Sequence, residues 1–265
     1  MTEMKKWPKF SGEKIDIVKS LLQTGESMNL DNFIAFFTDD ALYQFSNFPV
    51  VYGPEGIREA SLDFLKKVEG LHHHIKDMWE TEDGTIICEM DISYIRYDGK
   101  VFTLPCNDFI RLRGDKIQEL YIYMDIRPVF ETPETTAKAS TEETTGAKLG
   151  DIVKDLFAAA LANDLDKYVT FFIDDAIYKA GLADPVIGPQ GIREFALPVM
   201  KIFDTVAHDI KNMWEIGDTV FCQAEVLYNR RDGKVFKIPT SNIIRFKGDK
   251  IRELQAFGDP SSAFA

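Results

Sequence analysis

The chain is written twice. Residues 29–79 align without a gap on 164–214 at an offset of 135, with 22 of 51 positions identical, among them FFTDDALY against FFIDDAIY and GPEGIRE against GPQGIRE. After a single deletion the offset becomes 134, and Cys88–Asp125 matches Cys222–Asp259 at 18 of 38 positions. A unit this long is a whole domain, not a solenoid repeat, so any fold proposed for one half must also suit the other. The reading gives domains at 13–130 and 151–265. The segment between them, ETPETTAKASTEETTGAKLG (131–150), is dominated by Thr, Glu, Ala and Gly and reads as a solvated linker.

Each copy begins helical and ends in strands. Glu13–Ser27 carries Ile15, Val18 and Leu22 at helical spacing, as Asp151–Ala162 does with Ile152, Leu156 and Ala159. Asn29 is placed to cap a short helix over Asn32–Phe37, a brief strand follows near Ala41–Phe45, and Gly53-Pro54 opens a third helix to about Val68. The period then changes to two. His73–Thr81, Thr85–Arg96, Lys100–Arg113 and Lys116–Ile126 are separated by Asp-Gly and Gly-Asp turn signals. Helices followed by an antiparallel meander predict an α+β domain.

Charge and composition limit the partners. A formal net charge of −12 leaves no basic stripe to neutralise phosphates, so neither nucleic acid nor a membrane surface is expected as a partner. No apolar run approaches the roughly 18–20 residues of a membrane span. Three widely spaced cysteines fit buried thiols in a reducing compartment, and a cytoplasmic protein is expected. Phosphate-cradling, dinucleotide and zinc motifs are absent, so no cofactor is expected.

His72, His73 and His74 look at first like a metal site. Only His73 has a counterpart, His208, because His72 aligns with Ala207 and His74 with Asp209. Successive strand residues also point to opposite faces, so three in a row do not converge on one ion, and no metal is expected. Two readings of His73 stay open: a strand-start residue bonding a loop, or a proton carrier at a pocket rim. Trp79 and Trp214 read as core or pocket wall. Arg58 and Arg193 read as helix-surface ion pairs.

Alternation also sorts the acids. Ile117, Glu119, Tyr121, Tyr123 and Asp125 share one face of the last strand, while Glu89, Asp91 and Ser93 oppose Cys88, Met90, Ile92 and Tyr94 on an earlier one. If the apolar set packs on the helices, Asp91 is solvated or in an inter-domain contact. Of Asn107 and Asp108, one faces the pocket, and spacing does not say which.

The element order, the GPxGIRE helix start and the run LPxxxxIRxxGDKIxELxxxxD (Leu104–Asp125) resemble the SnoaL-like branch of the NTF2-like superfamily. That branch includes polyketide cyclases and is similar in fold to limonene-epoxide hydrolase and ketosteroid isomerase. The resemblance implies two cone domains, each a curved, mostly antiparallel sheet wrapped around three helices with an apolar pocket, the pair forming an intramolecular pseudo-dimer. It also implies Asp125 as the catalytic acid/base with Asp91 its partner, in a pocket with Tyr43, Phe45, His73, Trp79, Asn107, Tyr121 and Tyr123. A second pocket would use Tyr178, His208, Trp214, Glu225 and Asp259. The hydrolase pattern is incomplete, with Glu89, Tyr121 and Ile122 standing where its Arg, Arg and Asp belong, which counts against epoxide hydrolysis. The expectation is a cofactor-independent cyclase or isomerase acting in domain 1 on an apolar, oxygenated polyketide- or terpenoid-like molecule. The alternatives are a non-catalytic binder of a hydrophobic small molecule, or an interaction protein whose pockets its own side chains fill.

Overall fold

A computed structural model describes residues 12–130 and 149–265. The chain divides into two compact units, 1–134 and 135–265. Most of the segment read as a linker, 131–148, lies outside the described residues, while Leu149 and Gly150 already belong to the first helix of the second unit.

The first unit runs α1 (Glu13–Glu26), α2 (Leu30–Ile34), β1 (Phe37–Phe45), β2 (Val51–Tyr52), α3 (Gly53–Leu65), β3 (Val68–Glu80), β4 (Ile86–Arg96), β5 (Val101–Arg113), β6 (Lys116–Met124) and α4 (Arg127–Phe130). The second repeats it as α5 (Leu149–Leu161), α6 (Leu165–Val169), β7 (Phe172–Ala180), β8 (Val186–Ile187), α7 (Gly188–Ile202), β9 (Phe203–Ile216), β10 (Thr219–Arg230), β11 (Val235–Lys247), β12 (Lys250–Phe257) and α8 (Ser261–Phe264). The α+β expectation with two like halves holds. Each sheet has six strands, ordered β2-β1-β6-β5-β4-β3 and β8-β7-β12-β11-β10-β9. The β3–β6 meander is antiparallel as its turns predict, but β1 joins β6 in parallel, so the sheet is mixed. Among the described residues no helix is long and apolar enough to cross a membrane.

Local chemistry sets the helix ends. The Asn29 side chain accepts the Asn32 backbone N–H at 3.0 Å and starts α2, which ends three residues sooner than predicted because Phe37 already pairs with Ile117 in the sheet. The GPxGIRE motif has a backbone reason. Gly53 and Gly188 sit at φ of 67° and 68°, and a Cβ on Gly53 would stand 2.6 Å from the Asp39 carbonyl oxygen. Gly53→Ala is therefore expected to destabilise the first unit by about 1–3 kcal/mol, read as a lower denaturation midpoint. The Arg of the same motif ties α3 to α2 through Arg58–Asp31 at 2.5 Å, and α7 to α6 through Arg193–Asp166 at 2.6 Å.

The helices cover the apolar face of each sheet. In α1, Ile15, Val18, Leu21 and Leu22 are buried, and so are Cys88, Met90, Ile92 and Tyr94 of β4. A β-bulge in β3 then changes the alternation. Ile75 pairs with Met90 and Asp77 with Glu89, leaving Lys76 as the extra residue, so beyond it the even-numbered Met78 turns inward.

Candidate active site in the first domain

Between α1, α3 and the sheet of the first unit lies a cavity of about 400 Å³. Its wall is largely apolar and aromatic, with Tyr43 and Phe45 from β1, Tyr94 from β4 and Phe130 from α4. Among the described residues, the acids lining it are Glu59, Asp63 and Asp108, and no Lys or Arg joins them.

Asp108 is the buried acid of this wall, 2% exposed. It pairs with Cys88 on one side and Ile122 on the other, which places it on the helix-covered face. Burial pushes its carboxyl up to about 7, against a weaker opposing effect of the hydrogen bond that Cys106 Sγ donates at 3.2 Å. Around it, burial first and the nearby Asp108 charge second hold Tyr43 above the ordinary phenol range, and burial does the same for Tyr94. Both therefore stay protonated donors at neutral pH. Tyr94 donates to Met124 Sδ at 3.3 Å, whereas the Tyr43 hydroxyl has no hydrogen-bond partner among the described residues and remains available to a ligand.

Of the residues anticipated from sequence, Tyr43, Phe45 and His73 line the cavity, and the others do not. Asp91 lies on the opposite face of β4, half-exposed and paired with Lys76 at 2.7 Å. Asn107, Tyr121 and Tyr123 share that opposite face, since their neighbours Asp108, Leu120 and Ile122 point inward. Trp79 is displaced by the bulge in β3. An identical bulge in β9, between Ile210 and Asn212, does the same to Trp214.

The largest correction concerns Asp125. It is buried, but it lies past the end of β6, and its Oδ1 accepts the Arg127 backbone N–H at 3.1 Å and the Arg127 Nε–H at 2.9 Å. Asp259 does the same for α8, accepting the Ser261 N–H at 2.9 Å. The repeat keeps this acid as the anchor of a short terminal helix, which in the first unit brings Phe130 to the cavity. Asp125→Ala is expected to cost about 1–2 kcal/mol, the usual loss on removing a cap, measurable by chemical denaturation.

The histidine run separates by face. His72 and His74 lie together, ring centroids 4.6 Å apart, with His74 Nε2 bonded to Ser93 Oγ at 2.9 Å. His73 points inward, and its Nδ1 meets Glu26 Oε1 at 3.2 Å. Neither Glu26 nor Asp108 stood among the sequence candidates as a chosen site residue. For Asp108 the sequence carried half the signal, the apolar partition of β4; the ladder register that sets it across from Cys88 supplies the other half. Glu26 carried no signal, since its role depends on a contact 47 positions away.

The second unit lacks this chemistry. Asn242 occupies the Asp108 position and is neutral. His208 stacks flat on Phe157 at 4.0 Å, its Nδ1 unpartnered among the described residues, and burial pushes it down to about 4. Glu225 is ion-paired with Lys237 at 3.4 Å on the face opposite Ala224, and Tyr178 packs against Phe172 and Phe195.

Comparison with curated proteins gives no match. Among solved structures, a protein of ketosteroid isomerase-like fold from Catenulispora acidiphila DSM 44928, in complex with trimethylamine, is 21% identical over 43% of this chain and 88% of its own, with a TM-score of 0.40. An NTF2-like protein of unknown function from Burkholderia pseudomallei K96243 is 12% identical over 44% and 95%, at 0.41. A protein provisionally classed as a SnoaL-like polyketide cyclase from Shewanella denitrificans OS-217 is 15% identical over 43% and 91%, at 0.39. The SnoaL-like domain model matches residues 18–120 and again 153–254, so the chain belongs to the SnoaL-like family as a tandem of two such domains.

Proposed function

We propose that the first domain is a cofactor-independent cyclase or isomerase that moves a proton on an apolar small molecule bearing a carbonyl. One observation carries this reading: a single buried carboxyl, held near neutrality by desolvation, lines an apolar cavity of about 400 Å³. A group with this proton affinity takes a proton and returns it at neutral pH with little loss in either direction. Asp108 removes the proton from the carbon beside the carbonyl. The Tyr43 hydroxyl then donates a hydrogen bond to the enolate oxygen that develops. Epoxide hydrolysis fits less well, because Asp91 and Asp125, the two acids it requires, are both ion-paired off the cavity.

The test does not depend on the identity of the natural substrate. Incubating the protein in heavy water with a panel of aryl and alicyclic ketones, and following α-proton exchange by NMR, is expected to show accelerated exchange for at least one. The active form is the carboxylate, so the rate should rise with pH through about 7 and level off above it. Tight binding without exchange across the panel would favour a carrier of hydrophobic molecules instead. Because the charged residues of the wall are all acidic, a ketone bearing a carboxylate is expected to bind at least about tenfold more weakly than its methyl ester, checked by calorimetry.

A further inference from the structure

Two side chains of the cavity wall, His73 and Asp108, do not meet. His73 pairs with Ile92 and Asp108 with Cys88, so four residue steps of β4 separate them, roughly 13 Å along the strand. Both line the same cavity at separate points of its wall.

The His73 end is built from α1. Glu26 Oε1 accepts the His73 backbone N–H at 2.7 Å and lies 3.2 Å from its Nδ1, while the half-exposed His72 ring approaches the same oxygen at 3.1 Å. Burial is the largest influence on Glu26 and raises its proton affinity, but the hydrogen bonds from His73 and the electrostatic effect of the His73 and His72 rings together outweigh it, and the carboxyl ends below its ordinary range. With Nδ1–H given to the carboxylate, an uncharged ring would present Nε2 as an acceptor. That Nε2 has no partner among the described residues. The other charged groups facing the cavity are Glu59 and Asp63 from α3 and Asp108 from β5, all acids, so no cation competes for the ring nitrogen.

The second copy lacks the arrangement. At the same offset Leu161 stands for Glu26 and Phe157 for Leu22, and the corresponding imidazole is stacked on Phe157. The second copy has no carboxylate at this point, and its imidazole is stacked on an aromatic ring instead of bonded to an acid.

We infer that Glu26 and His73 form a second anchoring point, which receives a hydroxyl of the ligand while Asp108 meets its carbonyl end, so that the ligand of the first domain is an elongated hydroxy-ketone. The Asp108 half of this statement rests on the proton-transfer reading above, and the His73 half does not. Glu26 acts here as a positioning residue.

Fluorescence titration of the full-length protein with 6-acetyl-2-naphthol and with its methyl ether tests it. The ether carries a methyl group in place of the hydroxyl hydrogen that would be donated to Nε2. The wild type is expected to bind the naphthol about tenfold more tightly, the worth of one buried hydrogen bond. His73→Phe should abolish that preference and Glu26→Leu should remove most of it. Glu26→Gln, whose amide oxygen accepts the same two bonds, should retain it. An unchanged affinity for the ether in each variant reports an intact cavity. If the variants fail to fold, nitrogen NMR of the wild-type imidazoles must show the His73 Nε2 resonance move on saturation with the naphthol. Equal affinities, no binding of either compound, an unmoved resonance, or a preference surviving in His73→Phe would each overturn the inference. Proton exchange lost in Asp108→Asn with the naphthol preference intact would uphold both ends separately. A preference without any exchange would sink only the catalytic reading.

Discussion

Asp108→Asn is expected to lower the rate of α-proton exchange by about 10²–10⁴-fold, the usual contribution of a positioned general base. Asparagine keeps the shape and the hydrogen bond to Cys106 but cannot take a proton. The wild-type rise in rate through about pH 7 should vanish with it. Asp125→Asn and Asp91→Asn supply the contrast. Both residues are tied to cations off the cavity, so the change in rate should stay below about tenfold. Measuring all three variants on the same ketone decides the matter, because an Asp125→Asn effect as large as that of Asp108→Asn would return the catalytic role to the end of β6.

The same carboxyl should give the fold an unusual dependence on pH. Asp108 rises from an ordinary 3.8 to about 7 on folding, so between these values the native protein holds a proton that the unfolded chain has released. Stability from this group is full below about pH 4, falls as pH rises, and levels off above about 7. The total loss is ~4 kcal/mol. His208 slopes the other way. Pushed down to about 4, it stays neutral in the native state while the unfolded chain protonates, so its contribution is lost as pH falls below about 6.5. Comparing wild type with Asp108→Asn removes His208 from the result. Chemical denaturation at mildly acidic and mildly alkaline pH should find the variant gaining on the wild type by a few kcal/mol as pH rises. A constant difference across the range would mean that Asp108 is solvated and the cavity wet.

Much of the architecture was readable in the residues, and the places where the reading stopped have a common cause. Period-two alternation correctly divided β4 into Glu89, Asp91 and Ser93 against Cys88, Met90, Ile92 and Tyr94. The apolar set is buried, and its Ile92 and Tyr94 line the cavity together with Leu21 and Leu22 of α1. Once the helices cover the apolar set, Asp91 faces away from them, and the pairing of Cys88 with Asp108 puts Asp108 and not Asn107 beneath them. The family resemblance pointed to Asp91 and Asp125 instead, and for these two positions the hydrophobic pattern was the better guide. Trp79 and Trp214 were misplaced for a different reason. One extra residue in β3 and in β9 reverses the alternation, and nothing in Ile75-Lys76-Asp77 announces it.

What the amino-acid order determined alone is the duplication, the succession of helices and strands, the glycine that opens α3, and the composition of each strand face. These follow from local backbone preference and from periodicity, which a single strand or helix expresses by itself. Which face the helices cover, where a bulge shifts the count, that Asp125 caps α4, and that Glu26 reaches His73 were decided only in the folded domain. Each depends on contacts between segments distant in sequence, and the proton affinity of Asp108 depends on them most, since desolvation belongs to the assembled cavity and not to the residue.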